Sequence, residues 1–220
     1  MTRVVLVHAM RESIGPTETS FSAHWPEAEL VHLLDSSLST DRGPTDTVTE
    51  EIATRITALA SYGQMIGADA VLFTCSAFGP AIDAATALLH PIPVHKPNTA
   101  MIAEAASTDE RIGLLGTFQA TLDSMVTEFP PRTDVTVAFC DGALAALTGH
   151  DATGHDDIVA DTAQVHLSDC GVLALAQFSL ARAAPAVESA TGKRVLTTPD
   201  SAVLALRNEV EGVGTVPETP

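Results

Sequence analysis

Residues 70–80 read AVLFTCSAFGP, the clearest sign in this chain of both its architecture and its chemistry. The first four residues are apolar without alternation, which is typical of a strand buried on both faces of a parallel sheet. Small polar residues and Gly-Pro follow, so the strand ends in a turn. Ligands of open α/β sheets bind just beyond the carboxyl ends of such strands. Cys75 is therefore the first candidate catalytic residue.

Short apolar runs alternate with longer helix-like segments, which predicts βα units and a parallel sheet. The runs predict strands at residues 4–7, 30–34, 71–73, 92–94, 112–115, 135–139, 172–175 and 195–196. The segments between them predict helices at residues 47–62, 79–89, 99–106, 118–129, 141–147, 156–167, 183–190 and 201–210. A capping box at residues 47–50 and Pro-Asp-Ser at residues 199–201 mark two helix starts. Residues 9–16 are expected to form a polar loop, and residues 212–220 a loose tail.

A weak internal repeat relates residues 69–76 to residues 171–178. In both segments a buried strand is followed by a turn of small or polar residues and then by an Ala-rich helix. The alignment places Gln177 where the first segment has Cys75, and a shift by one residue would place Ala176 there instead. Two similar halves predict a central cleft with Cys75 on one wall and Gln177 on the other.

Composition restricts the class of protein. The 220 residues, 45% of them apolar, are enough to bury a sizeable core. A formal charge of −17, with only 11 Lys and Arg, argues against nucleic acid or an anionic membrane surface as a partner. No apolar stretch reaches the roughly 20 residues of a membrane span. The chain begins with a strand pattern rather than a signal peptide, which predicts a cytoplasmic protein.

The cysteine pattern argues against a disulfide framework, because three cysteines occur without paired spacing. Neither Cys-x-x-Cys nor His-Glu-x-x-His is present, so no metal site and no metal cofactor are expected. Cys140 and Cys170 lack the polar turn that follows Cys75 and are expected to be structural. For Cys75 itself, the alternative to a reactive thiol is a small buried hydrophobe.

The sequence resembles the aspartate/glutamate racemase superfamily, a group that includes amino-acid and hydantoin racemases, maleate isomerases and arylmalonate decarboxylases. The resemblance rests on FTCS at residues 73–76, on RIGLLGT at residues 111–117 with Thr121, and on the segment at residues 173–185. Family members usually carry a second cysteine in the third segment, where this chain has Gln177.

The resemblance implies an α/β fold with two pseudo-symmetric flavodoxin-like lobes, parallel sheets and a central active-site cleft. The first lobe is expected at residues 1–96 plus 199–220, and the second at residues 97–198. No organic cofactor is implied, and the expected partner is a small carboxylate substrate, with a homodimer as a candidate assembly.

In the two-cysteine racemases of this family, one thiolate removes the α-proton of a carboxylate substrate and the other thiol returns a proton on the opposite face. Gln177 cannot take the second role, because a carboxamide does not ionise near neutral pH. Three chemistries therefore stay open. A racemase would recruit another group, such as His8. A decarboxylase would protonate an enediolate from Cys75 alone, and a nucleophilic isomerase or lyase would form a covalent adduct with Cys75.

The first expectation is a cofactor-independent isomerase or racemase that acts at a carbon next to a carboxylate, with Cys75 as base or nucleophile. An arylmalonate-type decarboxylase and a non-catalytic protein that binds small carboxylates are the alternatives. Either enzyme needs donors for a dianionic enediolate, and the backbone N–H groups of the turns are expected to lower the pKa of the thiol.

The remaining site predictions concern residues near the predicted strand ends. His8 is a catalytic candidate because its ordinary pKa suits proton transfer at neutral pH. Arg11, Lys96 and Arg182 are candidate cations for a carboxylate. Phe178, together with Phe78 and Phe118, predicts a partly apolar pocket suited to an aryl or alkyl substrate. The expected substrate-binding residues are Arg11, Ser13, Ser76, Thr117, Thr121, Phe178 and Ser179.

Overall fold

The computed structural model describes residues 1–42 and 48–212, which form two four-stranded parallel sheets flanked by helices. The strands are β1 (Arg3–His8), β2 (Glu29–Leu34), β3 (Ala70–Phe73), β4 (Val94–His95), β5 (Ile112–Gly116), β6 (Val135–Phe139), β7 (Val172–Leu175) and β8 (Arg194–Thr197). The first sheet has the order β2-β1-β3-β4 and the second has the order β6-β5-β7-β8. The predicted α/β class with parallel strands is therefore confirmed, and the two sheets repeat the same strand order.

Ten α-helices occur in the described ranges: α1 (Ile14–His24), α2 (Leu38–Arg42), α3 (Glu50–Met65), α4 (Gly79–Leu89), α5 (Thr99–Ala106), α6 (Gln119–Glu128), α7 (Ala143–Thr148), α8 (Ala152–His166), α9 (Ala184–Thr191) and α10 (Thr198–Val210). Short 3-10 segments at Arg11–Ser13, Ser76–Phe78 and Phe178–Ala183 lead into α1, α4 and α9. None of the described helices is long and apolar enough to cross a membrane.

The apolar run at β3 is buried on both faces of its sheet, as its lack of alternation predicts. Val71 and Phe73 pack in a cluster with residues of α3 and α4. Ala70 and Leu72 pack on the opposite face, in a cluster with residues of α1 and α10. Parallel strands of this kind are covered by helices on both sides, and burial of the apolar side chains stabilises the sheet.

Several helix starts differ from the predicted ones, and in α3 and α10 the cap residue gives the local reason. Helix α3 begins at Glu50, and its cap is Thr49, whose hydroxyl oxygen accepts a hydrogen bond from the backbone N–H of Ile52. Helix α10 begins at Thr198, because the Thr197 side chain accepts from the N–H of Asp200. Residue 47 and all of the predicted tail except Gly212 lie outside the described residues.

The polar loop predicted at residues 9–16 is wrong. The 3-10 turn at Arg11–Ser13 and the start of α1 occupy this segment instead. Helix α1 buries Thr17 and Ser20 besides Phe21, so its inward face is partly polar and gives almost no apolar period in the sequence. Helix α2 is also absent from the prediction.

Helix α10 packs against both α1 and α5. Its inward residues Ala202, Val203 and Leu206 belong to the apolar cluster on the first sheet. The lobe boundaries, residues 1–96 plus 199–220 and residues 97–198, stay a prediction.

Candidate active site

Four strands, two in each sheet, end in the same way. Two residues after the ends of β1, β3, β5 and β7, the chain has an extended residue that precedes a helical turn. These residues are Met10, Cys75, Phe118 and Gln177, with φ between −140° and −127° and ψ between 119° and 144°. Because β3 and β7 hold the same place in their sheets, Cys75 and Gln177 are equivalent. The alternative register with Ala176 does not fit this geometry.

A cavity of about 210 Å³ lies where these strand ends from the two sheets meet. Cys75 and Gln177 both line it, as do Met10 and Phe118. Its apolar lining also includes the rings of Phe78 and Phe178, which is typical of small-molecule sites with few polar groups. Among residues 1–42 and 48–212, no group of three or more His, Cys, Asp or Glu side chains is arranged to hold a metal ion.

The Gln177 carboxamide is held in one orientation by Thr117. The backbone N–H of Thr117 donates to Oε1 of Gln177 over 2.6 Å, and the Thr117 hydroxyl donates to the same oxygen over 3.0 Å. A backbone N–H can only donate, so the atom that faces it must be the amide oxygen. Within the described residues Nε2 has no hydrogen-bond partner, so Gln177 offers the cavity an N–H donor.

Cys75 is half-buried at the opposite strand end. Burial raises the pKa of its thiol above the usual range, although a hydrogen bond from the backbone of Ala77 and the charge of Arg42 act in the lowering direction. The expectation that the turn would lower this pKa is wrong, because removal of the thiolate from water outweighs one N–H donor and one cation. At neutral pH Cys75 is therefore a thiol, which is a proton donor.

Several solved structures share this architecture. The glutamate racemase isoform RacE1 from Bacillus anthracis superposes with a TM-score of 0.70 and 16% identity, over 99% of this chain and 84% of the racemase. For the aspartate racemase of Picrophilus torridus the TM-score is 0.73 at 13% identity, over 96% and 95% of the two chains. A Gly74Cys mutant of arylmalonate decarboxylase gives 0.66 at 13% identity, over 97% and 95%.

This chain has the fold of these racemases. No family model and no curated protein matches the sequence, so the likeness rests on the structure. The racemase fold explains the matched strand ends, since two similar halves bring equivalent positions to one cavity.

Five of the predicted substrate-binding residues line this cavity of the racemase fold: Ser13, Ser76, Thr121, Phe178 and Ser179. A sixth, Thr117, donates a hydrogen bond to the Gln177 side chain and is not among the lining residues.

None of the three predicted cations lies at the cavity. Arg11 and Arg182 line a second, more open depression, and Arg182 also binds Asp156 with 2.9 Å between Nε and Oδ1. The Lys96 ammonium lies 2.7 Å from Asp83 Oδ1. Ion pairs with neighbouring carboxylates thus hold Arg182 and Lys96 elsewhere.

The cation at the cavity is Arg42, at the end of α2, which is not among the residues predicted to bind substrate. The segment at residues 38–42, LSTDR, is short and has no apolar period, so nothing in it marks this arginine as inward-facing. Its charge lies near enough to Cys75 to act on the pKa of the thiol.

The structure places His8 behind the cavity wall and not in it. The side chain is fully buried, and its Nδ1 lies 2.8 Å from the Ser13 hydroxyl and 3.0 Å from the Thr74 hydroxyl. Burial, followed by the nearby His32, lowers the pKa of His8 from 6.5 to about 4. Any role of His8 in catalysis must pass through one of the two hydroxyls, both of which line the cavity.

The lowered pKa of His8 predicts a loss of stability in acid. Below pH 6.5 the unfolded chain binds a proton at His8 that the folded chain excludes, so the free energy of unfolding falls as the pH drops from about 6.5 to about 4. The shift corresponds to about 3 kcal/mol in total. Urea unfolding across this range should show a shallower pH dependence in His8→Gln, while His166→Gln, at an exposed position, should follow the wild type. Identical slopes in His8→Gln and wild type would contradict the shift.

The raised pKa of Cys75 predicts slow alkylation at neutral pH. Only the thiolate reacts with iodoacetamide, so the rate should reach half its maximum above about pH 8.5, the value for a free cysteine. In Arg42→Gln the midpoint should move further up, because the guanidinium charge favours the thiolate. Peptide mass spectrometry over a pH series measures both midpoints, and a wild-type midpoint below that of free cysteine would contradict the prediction.

Proposed function

We propose that this chain is a cofactor-independent enzyme that transfers a proton at a carbon next to a carboxylate, with Cys75 as the group that exchanges the proton with that carbon. The supporting observation is the pairing of Cys75 with Gln177 at equivalent strand ends in one cavity. Of the described lining residues, Cys75 carries the most acidic side-chain proton, because the others are hydroxyls, amides, apolar groups and the Arg42 guanidinium, which stays charged.

The substrate carboxylate is bound by donors that surround the cavity. Gln177 offers its Nε2–H group. Ser76 directly follows Cys75, Ser179 lies two residues after Gln177, and both line the same space. Arg42 supplies a positive charge. Donors that are fixed before the reaction stabilise an enediolate better than they stabilise the ground state. The rings of Phe78 and Phe178 support an aryl or alkyl group on the substrate.

Decarboxylation is the reaction that this geometry supports best. A substituted malonate would break one carbon–carbon bond and release carbon dioxide, and the electron pair would remain as an enediolate on the other carboxylate. The Cys75 S–H bond then breaks as the new C–H bond forms, which leaves a thiolate. The thiolate takes a proton from solvent to complete the cycle. A thiol with a raised pKa begins this sequence in the required state.

Racemisation or isomerisation is the second candidate, and the fold of the racemases favours it. This reaction needs Cys75 as a thiolate base and a proton donor on the other face of the carbon. Gln177 cannot donate that proton. Racemisation therefore requires another group that brings a proton to the cavity.

The test is an assay of the wild type with two groups of compounds, 2-substituted malonates and single enantiomers of 2-substituted carboxylates, in deuterated water. Release of carbon dioxide with one deuterium at the α-carbon supports decarboxylation. Exchange of the α-hydrogen with loss of optical activity supports racemisation. If carboxylates protect Cys75 from alkylation but undergo neither reaction, the result would contradict the proposal of an enzyme and indicate a binding protein.

A further inference from the structure

A chain of polar side chains runs through the layer between the first sheet and α1. His8 Nε2 lies 3.0 Å from His32 Nδ1, and His32 Nε2 lies 3.6 Å from Glu18 Oε1. At the inner end, His8 Nδ1 contacts the hydroxyls of Ser13 and Thr74. The chain thus joins two hydroxyls of the cavity wall to a carboxylate whose side chain is 58% exposed.

The fold brings the two histidines together through strand register. Leu6 of β1 pairs with His32 of β2, so His8, two residues further along β1, lies on the same face as both. Most of that face is apolar, and Leu6 belongs to one buried cluster with Phe21 and Trp25. Two imidazoles cost desolvation energy here that aliphatic side chains would not, and the cost is offset because each ring is hydrogen-bonded. Packing alone therefore gives no reason for the pair.

The hydrogen bonds have a consistent direction. The Ser13 hydroxyl donates to the backbone carbonyl of Met10 over 2.7 Å, so its oxygen accepts from His8 Nδ1–H. His8 Nε2 is then unprotonated and accepts from His32 Nδ1–H. Each ring can take a proton on one nitrogen and release one from the other. The low basicity of His8 means that it passes the charge on and does not hold it.

We propose that His8 and His32 form a proton path between solvent at Glu18 and the hydroxyls of Ser13 and Thr74. This inference rests on the proposed function, which leaves a Cys75 thiolate after each turnover. A proton from solvent binds His32 Nε2, the Nδ1 proton of His32 moves to His8 Nε2, and the Nδ1 proton of His8 moves to a hydroxyl. The Ser13 hydroxyl turns away from the Met10 carbonyl as it releases its own proton into the cavity, where the thiolate takes it. Both imidazole rings then return to their first tautomers before the next cycle.

The decisive variant is His32→Gln, which keeps a donor for His8 Nε2 but cannot pass a proton through its side chain. In dilute buffer its kcat for carbon dioxide release should fall on the order of tenfold. Imidazole added at increasing concentration should restore kcat, because a small base can replace the path, and KM should stay close to wild type. The control His166→Gln changes an exposed histidine and should behave as wild type. A His32→Gln enzyme with wild-type kcat that does not respond to imidazole would overturn the proposal.

Failure of the proposed function is distinguishable from failure of the path. If the wild type releases no carbon dioxide and exchanges no α-hydrogen, the function fails, and the path is then tested by ¹⁵N NMR of the imidazoles. The proposal requires a neutral His8 with its proton on Nδ1, and a His32 Nδ1 signal that changes in His8→Gln because its hydrogen bond to His8 Nε2 is lost. A His8 proton on Nε2, or a His32 Nδ1 signal unchanged by His8→Gln, would overturn it.

Discussion

Replacement of Cys75 by Ala should lower turnover on the order of a thousandfold, the largest effect that we expect of any single change. The carbon next to the carboxylate would lose the group that gives it a proton, and Gln177 on the opposite wall has no proton to give. Binding should persist, because the carboxylate donors are other residues. Steady-state rates of carbon dioxide release and α-hydrogen exchange measure the first effect, and calorimetric titration with a carboxylate product measures the second.

Two further variants separate chemistry from packing. Cys75→Ser keeps the size of the side chain and should be as inactive as Cys75→Ala, because a hydroxyl is a far weaker acid than a thiol. Cys140→Ala alters a cysteine that is buried outside the cavity lining, and it should keep turnover with some loss of stability. Turnover that survives in Cys75→Ala would contradict the role of the thiol.

Gln177→Glu should lower kcat/KM by roughly a hundredfold or more, since a like charge placed against a bound anion costs several kcal/mol. One carboxylate oxygen would still accept from Thr117, as Oε1 does in the wild type. The other oxygen would replace the N–H donor and repel the substrate. Steady-state kinetics with the same carboxylates gives the loss, which should appear in kcat as well as in KM, because the amide stabilises the enediolate more than the bound substrate.

The matched control for this charge is Gln164→Glu, on the exposed face of α8, which should leave kcat/KM unchanged. Thr117→Val keeps the backbone N–H that holds Oε1 but removes the hydroxyl, so its effect should fall between wild type and Gln177→Glu. Wild-type kinetics in Gln177→Glu would show that the carboxamide does not face the substrate.

The strands at the centres of the two sheets could be predicted from sequence because they are buried on both faces. Residues 71–73 and 172–175 read as short apolar runs between turns, and both are strands in the structure. Each strand ends two residues before Cys75 or Gln177. The internal repeat in the sequence therefore predicts that these two residues face each other. Local sequence was sufficient for these features, since each depends on one strand and the turn after it.

Other features of the site depend on contacts between distant residues, and the sequence gives no sign of them. His8 looked like a strand-end base, but its pairing with His32 follows from the register of two strands. Arg42 is the last residue of a five-residue helix without an apolar pattern. The expected cations Lys96 and Arg182 are held by carboxylates elsewhere in the fold.

The most direct test of proton delivery by Cys75 is the configuration of a product formed in deuterated water. A 2-aryl-2-alkyl malonate should yield a monocarboxylate with one deuterium at the α-carbon and a single configuration, because the thiol stands on one side of the enediolate. The same reaction should not be detected above background in Cys75→Ala. A racemic deuterated product, or an equal yield from Cys75→Ala, would contradict delivery of the proton by Cys75.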